Sequence, residues 1–235
     1  MTASTAIVEN VAAVRERIAA AARGAGHRPE DITLMAVTKT QPADKILEAF
    51  NAGIRSFGEN RVQEFQAKRA RLTLSTAMFT LIGRLQSNKV NKAVELFSAI
   101  HSVDSLRLAE RINSASERAG KMALPVLIEI NTGDPAKAGL SPESPELDHL
   151  LHAAEHLHHV RIQGLMTVPP FTEDPESARP HFRRLRGLLD DIATRRLPGI
   201  NMEMCSMGMS HDFEVAIEEG STCVRIGTAI FGQRS

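Results

Sequence analysis

Eight short apolar segments alternate with helical patterns along the 235 residues, and this alternation is the feature that most restricts the fold. Strands are predicted at 32–38, 54–57, 77–82, 98–102, 125–131, 160–167, 202–206 and 222–226. Helical patterns lie near 42–52, 59–71, 87–96, 104–119, 144–157, 174–194 and 211–219. Ahead of them, Ile7, Val11, Val14 and Ile18 recur at helical spacing, with Gly24 and Gly26 just past the end. Strands alternating with helices imply βαβ units and a parallel sheet. Eight such units can close into a barrel, and the length suits one. An open doubly wound sheet is the rival, but no G-x-G-x-x-G turn follows a strand. The expected fold is therefore α/β. It is a single (β/α)8 TIM barrel spanning 1–235, with residues 1–28 forming an additional N-terminal helix that packs on it. The loop at 132–145 is too short to separate domains and would lie on the active face.

Composition narrows the function. Lysine plus arginine is 28 and aspartate plus glutamate is 28, so there is no basic excess and a general nucleic-acid binder is not expected. No stretch approaches a membrane span, and the start Met1-Thr2-Ala3-Ser4-Thr5-Ala6 is not read as a signal peptide, so a cytoplasmic protein is expected. Two cysteines, Cys205 and Cys223, fall on the last two predicted strands and are read as reduced core thiols. There is no tyrosine, so no tyrosine acid or base is available from this chain.

Several motifs fail. Gly227 to Gly232 has Walker spacing, but Gln233-Arg234 replaces the required Lys-Ser/Thr. Ser206 lacks the first glycine of a nucleophile elbow. His149, His152 and His156 share a helix face, and a solvated face is preferred to a zinc site, so no metal is expected.

One constellation remains. Lys39 ends the apolar run 32–38, where a lysine is either solvated at the barrel mouth or used as an amine. Ser206, Gly208 and Ser210 follow strand seven, and Arg225, Gly227 and Thr228 end strand eight. Barrels commonly hold phosphate with the loops after these two strands and a short extra helix, which Gly227-Thr228-Ala229-Ile230 could open. A strand-one lysine facing a phosphate cradle suggests a pyridoxal phosphate site.

Longer segments carry a resemblance. Met35-Ala-Val-Thr-Lys39-Thr-Gln-Pro42, Phe57-Gly-Glu-Asn60 with Val62-Gln63-Glu64, and Ile82-Gly83 with Leu85-Gln86-Ser87-Asn88-Lys89 resemble YggS-type pyridoxal phosphate homeostasis proteins. So do Gly164-Leu165-Met166, Ser206-Met-Gly-Met-Ser210 and Val224-Arg-Ile-Gly-Thr-Ala-Ile-Phe-Gly232. The resemblance implies a barrel similar to the N-terminal domain of alanine racemases, with pyridoxal 5'-phosphate held as an internal aldimine on Lys39. It places Asn60 beside the cofactor, Ser206, Gly208, Gly227 and Thr228 in its phosphate-binding segments, and Arg225 at the pyridine nitrogen. It also implies a homeostatic carrier without substantial turnover, and so no catalytic residues.

Three departures from the family pattern stand out. Thr80 and Arg84 replace a common His and Pro, His211 replaces a common acid, and Ala138 replaces a serine beside Lys137, near which a secondary cofactor site would lie. Arginine has no acceptor and is always charged, so it would donate to a neutral ring nitrogen and weaken carbanion stabilisation. Alanine racemases share this arginine but add a tyrosine from a second domain, and this sequence has no tyrosine. The alternative is a small racemase-type enzyme that pairs Lys39 with a non-tyrosine base, of which His211 is the nearest candidate. An open mouth would suit transfer to pyridoxal phosphate-dependent apoenzymes as recipients, and a monomer is expected.

Overall fold

The structure is a computed structural model that describes residues 3–133 and 138–233. Eight parallel strands form a closed barrel in chain order: β1 (Thr33–Val37), β2 (Ser56–Glu59), β3 (Met78–Leu81), β4 (Ala99–Val103), β5 (Leu124–Glu129), β6 (Val160–Met166), β7 (Ile200–Met209) and β8 (Cys223–Ile226), with β8 pairing back onto β1. The helices that follow these strands are α2 (Ala43–Asn51), α3 (Val62–Arg69), α4 (Val90–Leu96), α5 (Leu106–Arg118), α6 (Pro145–Ala153), α7 (Arg179–Thr194), α8 (Phe213–Glu218) and α9 (Thr228–Phe231). They are preceded by α1 (Ala3–Gly24).

Strand alternation divides the apolar residues into two layers. Val126 and Ile128 join the core between strands and helices, whereas Leu127 between them is buried outside that core, on the barrel's inner side. The outer layer is anchored by aromatic rings: Phe57 and Phe79 lie 5.2 Å apart, Phe65 and Phe79 4.6 Å, and Phe65 and Phe97 4.8 Å. Inside, Met35 and Ile82 fill the space beside Gly58, where an added Cβ would come within 2.9 Å of each. The predicted stripe Ile7, Val11, Val14 and Ile18 on α1 is fully buried, and α1 packs across α2, α8 and α9.

Local chemistry sets the boundaries. Ser105 and Ser144 cap α5 and α6, each accepting an amide hydrogen from the third residue onward at 3.3 Å. Strand two is observed at Ser56–Glu59 rather than 54–57. Ile54 closes the end of α2 instead, its N–H bonding to the Ala49 carbonyl past Gly53, which sits at φ 88°. The helix predicted at 59–71 therefore starts only at Val62. Strand seven runs on to Met209, with a register irregularity between Ser206 and Met209. The patterns at 87–96 and 174–194 each open with a 3-10 turn, Ser87–Lys89 and Pro175–Ala178, before the α-helix begins.

Candidate functional site at the barrel mouth

The strands end on one rim, and there a cavity of about 320 Å³ opens. Lys39 reaches it just after β1, Asn60 after β2, Arg225 from β8, and Gly227 and Thr228 from the start of α9. Five of the seven residues singled out from sequence thus line one cavity.

The other two stand behind it. Ser206 is fully buried and its Oγ accepts a hydrogen bond from Arg225 Nη1 at 2.7 Å. Gly208, at φ 93°, turns β7 against α8, where an added Cβ would lie 2.6 Å from Ala216 Cβ. The hydroxyl that reaches α9 is Ser210, whose Oγ accepts the N–H groups of Gly227 and Ala229, each at 3.2 Å. From sequence, Ser210 belongs to the group after strand seven that suggests a phosphate cradle, without a contact of its own. Sequence reasoning missed Val168 and Phe171, which with Val37, Ile82 and Met209 make the apolar part of the wall. These positions carry no chemical signature in a sequence.

Arg225 is held from two sides. Its Nη2 donates to the Thr167 carbonyl at 2.7 Å, and Thr167 is itself tied by its hydroxyl to the Ile130 carbonyl at 2.7 Å. Burial lowers the Arg225 pKa, although the group remains a cation at neutral pH. Its field acts on neighbours inside the barrel. Burial, helped by Arg225, pushes His101 down to about 3, and the ring stays neutral, its Nδ1 without a partner among the described residues. Glu129 at the end of β5 is pushed up to about 7, chiefly by burial and then by Asp104, against the pull of Arg225 and Arg84. Burial also raises Asp212, whose Oδ1 accepts the Met209 N–H at 2.6 Å and fixes the turn that presents Ser210.

The departures sort by position. Thr80 is buried in β3, Arg84 is exposed with its Nε 4.0 Å from Asp104, and His211 lines the cavity with its ring 5.6 Å from that of Phe171. Lys137, near which a secondary cofactor site would lie, is outside the described residues. His149, His152 and His156 are exposed, and among the described residues no three histidine, cysteine or acidic side chains are grouped to hold a metal ion.

Comparison with known proteins decides the family. The pattern of the alanine racemase N-terminal domain matches residues 9–235. A pyridoxal phosphate homeostasis protein of Aquifex aeolicus is 43% identical over 227 residues, covering 96% of this chain and 97% of the relative. The chain belongs to the family of pyridoxal phosphate homeostasis proteins. A mouse relative of the same name is 37% identical over 250 residues, covering all of this chain and 89% of its own length. Among solved structures, PipY of Synechococcus elongatus with pyridoxal phosphate bound superposes with a TM-score of 0.84 at 37% identity, covering 96% of this chain and 100% of that one. An alanine racemase of Streptomyces coelicolor shares the fold at a TM-score of 0.75 and 22% identity, and this chain spans 59% of its length.

The residues present fit the cofactor of these relatives. Ser210 Oγ accepts two amides and keeps its own O–H, which with the Thr228 hydroxyl at the cavity wall is a donor suited to a phosphate oxygen. Asn60 Oδ1 is buried at the same cavity and has no hydrogen-bond partner among the described residues. The volume falls within the range of small-molecule sites. Among the described residues no helix is long and apolar enough to cross a membrane.

Proposed function

We propose that this chain binds pyridoxal 5'-phosphate at the barrel mouth and serves its homeostasis as a carrier, without substantial catalytic turnover. The observation that carries the reading is the convergence of Lys39, Asn60, Arg225, Gly227 and Thr228 on one cavity. Lys39 is the amine that would hold the cofactor covalently. Ser210, Gly227 and Thr228 would hold its phosphate, with Ser206 and Gly208 shaping that segment from behind, and Asn60 would lie beside the ring. When bound, the cofactor supplies an aldehyde that condenses with primary amines and a ring that can act as an electron sink. Arg225 can only donate to the ring nitrogen, so it favours the neutral nitrogen and weakens that sink. A buried guanidinium held by Ser206 and Thr167 has no route to a carboxylate's role.

Val168 and Phe171 stand exposed at the rim, so the cavity faces solvent. Such access suits release to pyridoxal phosphate-dependent apoenzymes, which we propose as recipients, with the protein acting as a cytoplasmic monomer. The test is intact-mass analysis after incubation with pyridoxal phosphate and borohydride, followed by peptide mapping. A single adduct on Lys39, absent from Lys39→Ala, is expected. Labelling scattered over surface lysines would overturn the reading.

A second reading rests on His211, which lines the same cavity and could serve as a base in a racemase-type enzyme. Solvent deuterium at the Cα of alanine or serine, lost in His211→Ala, would favour it. No incorporation across a panel of amino acids is the carrier's expected result.

A further inference from the structure

The residues that flank Lys39 are fastened from outside the cavity by a single buried ammonium. Lys68, on α3, is buried, and its Nζ lies 2.8 Å from the Thr38 carbonyl, 3.3 Å from the Gln41 carbonyl, 2.8 Å from Glu59 Oε1 and 3.0 Å from Glu64 Oε1. Glu59 is fully buried, and its Oε1 also accepts the Thr38 hydroxyl hydrogen at 2.5 Å. Glu64 accepts the Thr40 N–H at 2.6 Å. Thr40 sits at φ 62°, a conformation unfavourable for a β-branched residue that persists only when its surroundings enforce it. Thr38, Thr40 and Gln41 are therefore all tied to one ion cluster, and Lys39 lies between them.

We infer that Lys68 is a positioning residue for Lys39: through Thr38, Gln41 and the two carboxylates it fixes the direction from which the Lys39 amine enters the cavity. This rests on the proposed cofactor site. Burying an ammonium is costly in desolvation unless it is fully partnered. A solvated lysine on α3 would meet any requirement of helix propensity alone. Here three N–H donors meet four oxygens, two of them backbone carbonyls of the strand-one loop, so the charge is committed to holding that loop. The same saturation of Lys68 marks it as a brace rather than as a second amine for covalent chemistry.

The test compares the wild-type chain with Lys68→Met, with Lys68→Met/Glu59→Gln, and with Glu64→Ala. The double variant removes the buried carboxylate charge that Lys68→Met leaves uncompensated. Three quantities are read: the rate of borohydride-trapped adduct at Lys39 with pyridoxal phosphate, hydrogen exchange of the amides at 38–41, and the melting temperature. The double variant should regain much of the melting temperature lost by Lys68→Met. It should still form the adduct about ten- to a hundredfold more slowly than wild type, since small misplacements cost rates of that order. The Thr40 amide should exchange faster in every variant. A double variant that labels at the wild-type rate would show that Lys68 only compensates charge and would overturn the inference. If neither Lys68 variant folds, Glu64→Ala decides, and an unchanged rate there overturns it equally. Failure of the wild-type chain to label Lys39 would instead overturn the cofactor site itself, while the exchange data would still report on the brace.

Discussion

Glu129 gives the sharpest link between the site and a measurable stability. It is half-buried at the end of β5, and burial together with Asp104 lifts its pKa from 4.5 to about 7. Below about pH 4.5 the carboxyl is protonated in both folded and unfolded chains and contributes no pH dependence. Between 4.5 and about 7 the unfolded chain has lost the proton and the folded one keeps it. Unfolding then releases a proton, so stability falls as pH rises through this window. The full displacement corresponds to a penalty of about 3 kcal/mol once Glu129 is ionised in both states. Glu129→Gln removes the titration and keeps the shape. The variant should match wild type near pH 4.5 and exceed it by about 3 kcal/mol at pH 8. For a chain of this size that is a melting-temperature gap of about 6–12 °C. Urea or thermal melts of both proteins from pH 4.5 to 8 supply the test. Other carboxyls raised by burial, Glu59 and Asp212, are present in both proteins and cancel in the difference. Parallel curves would refute the assignment. A variant less stable than wild type at pH 8 would mean that attraction to Arg225 outweighs burial.

Arg225→Leu leaves the Thr167 carbonyl and Ser206 without their donor, and cofactor retention should fall by about 2 kcal/mol, roughly thirtyfold, with an altered absorption spectrum; equilibrium dialysis and absorbance check this. Gly208→Ala meets Ala216 Cβ at 2.6 Å from a backbone at φ 93° and should cost about 1–3 kcal/mol in urea unfolding. Cys205 is pushed up to about 12 by burial and Cys223 is also raised, so neither should react with iodoacetamide at pH 8 until urea unfolds the chain. Labelling of the folded protein at either cysteine would contradict that burial.

The barrel was legible because its signal is redundant: eight apolar runs with seven helical patterns between them all agree with one closed topology. The positions of Lys39, Arg225, Gly227 and Thr228 followed once the strand ends were known, since a barrel gathers those ends on one rim. The placement of the two hydroxyls, Ser206 within β7 and Ser210 just past it, did not follow. A regular strand alternates its faces, but the irregularity between Ser206 and Met209 breaks that alternation, so Ser206 meets Arg225 while Ser210 meets α9. Lys68 was hidden for a different reason. In the sequence it is one more cation on a polar helix, 30 residues from the Thr38 carbonyl that it holds. Apolar periodicity detects what a helix buries by default. A charge buried for its partners becomes visible only when those partners, Glu59 at the end of β2 and Thr38 just past β1, have been brought to it by the closure of the barrel.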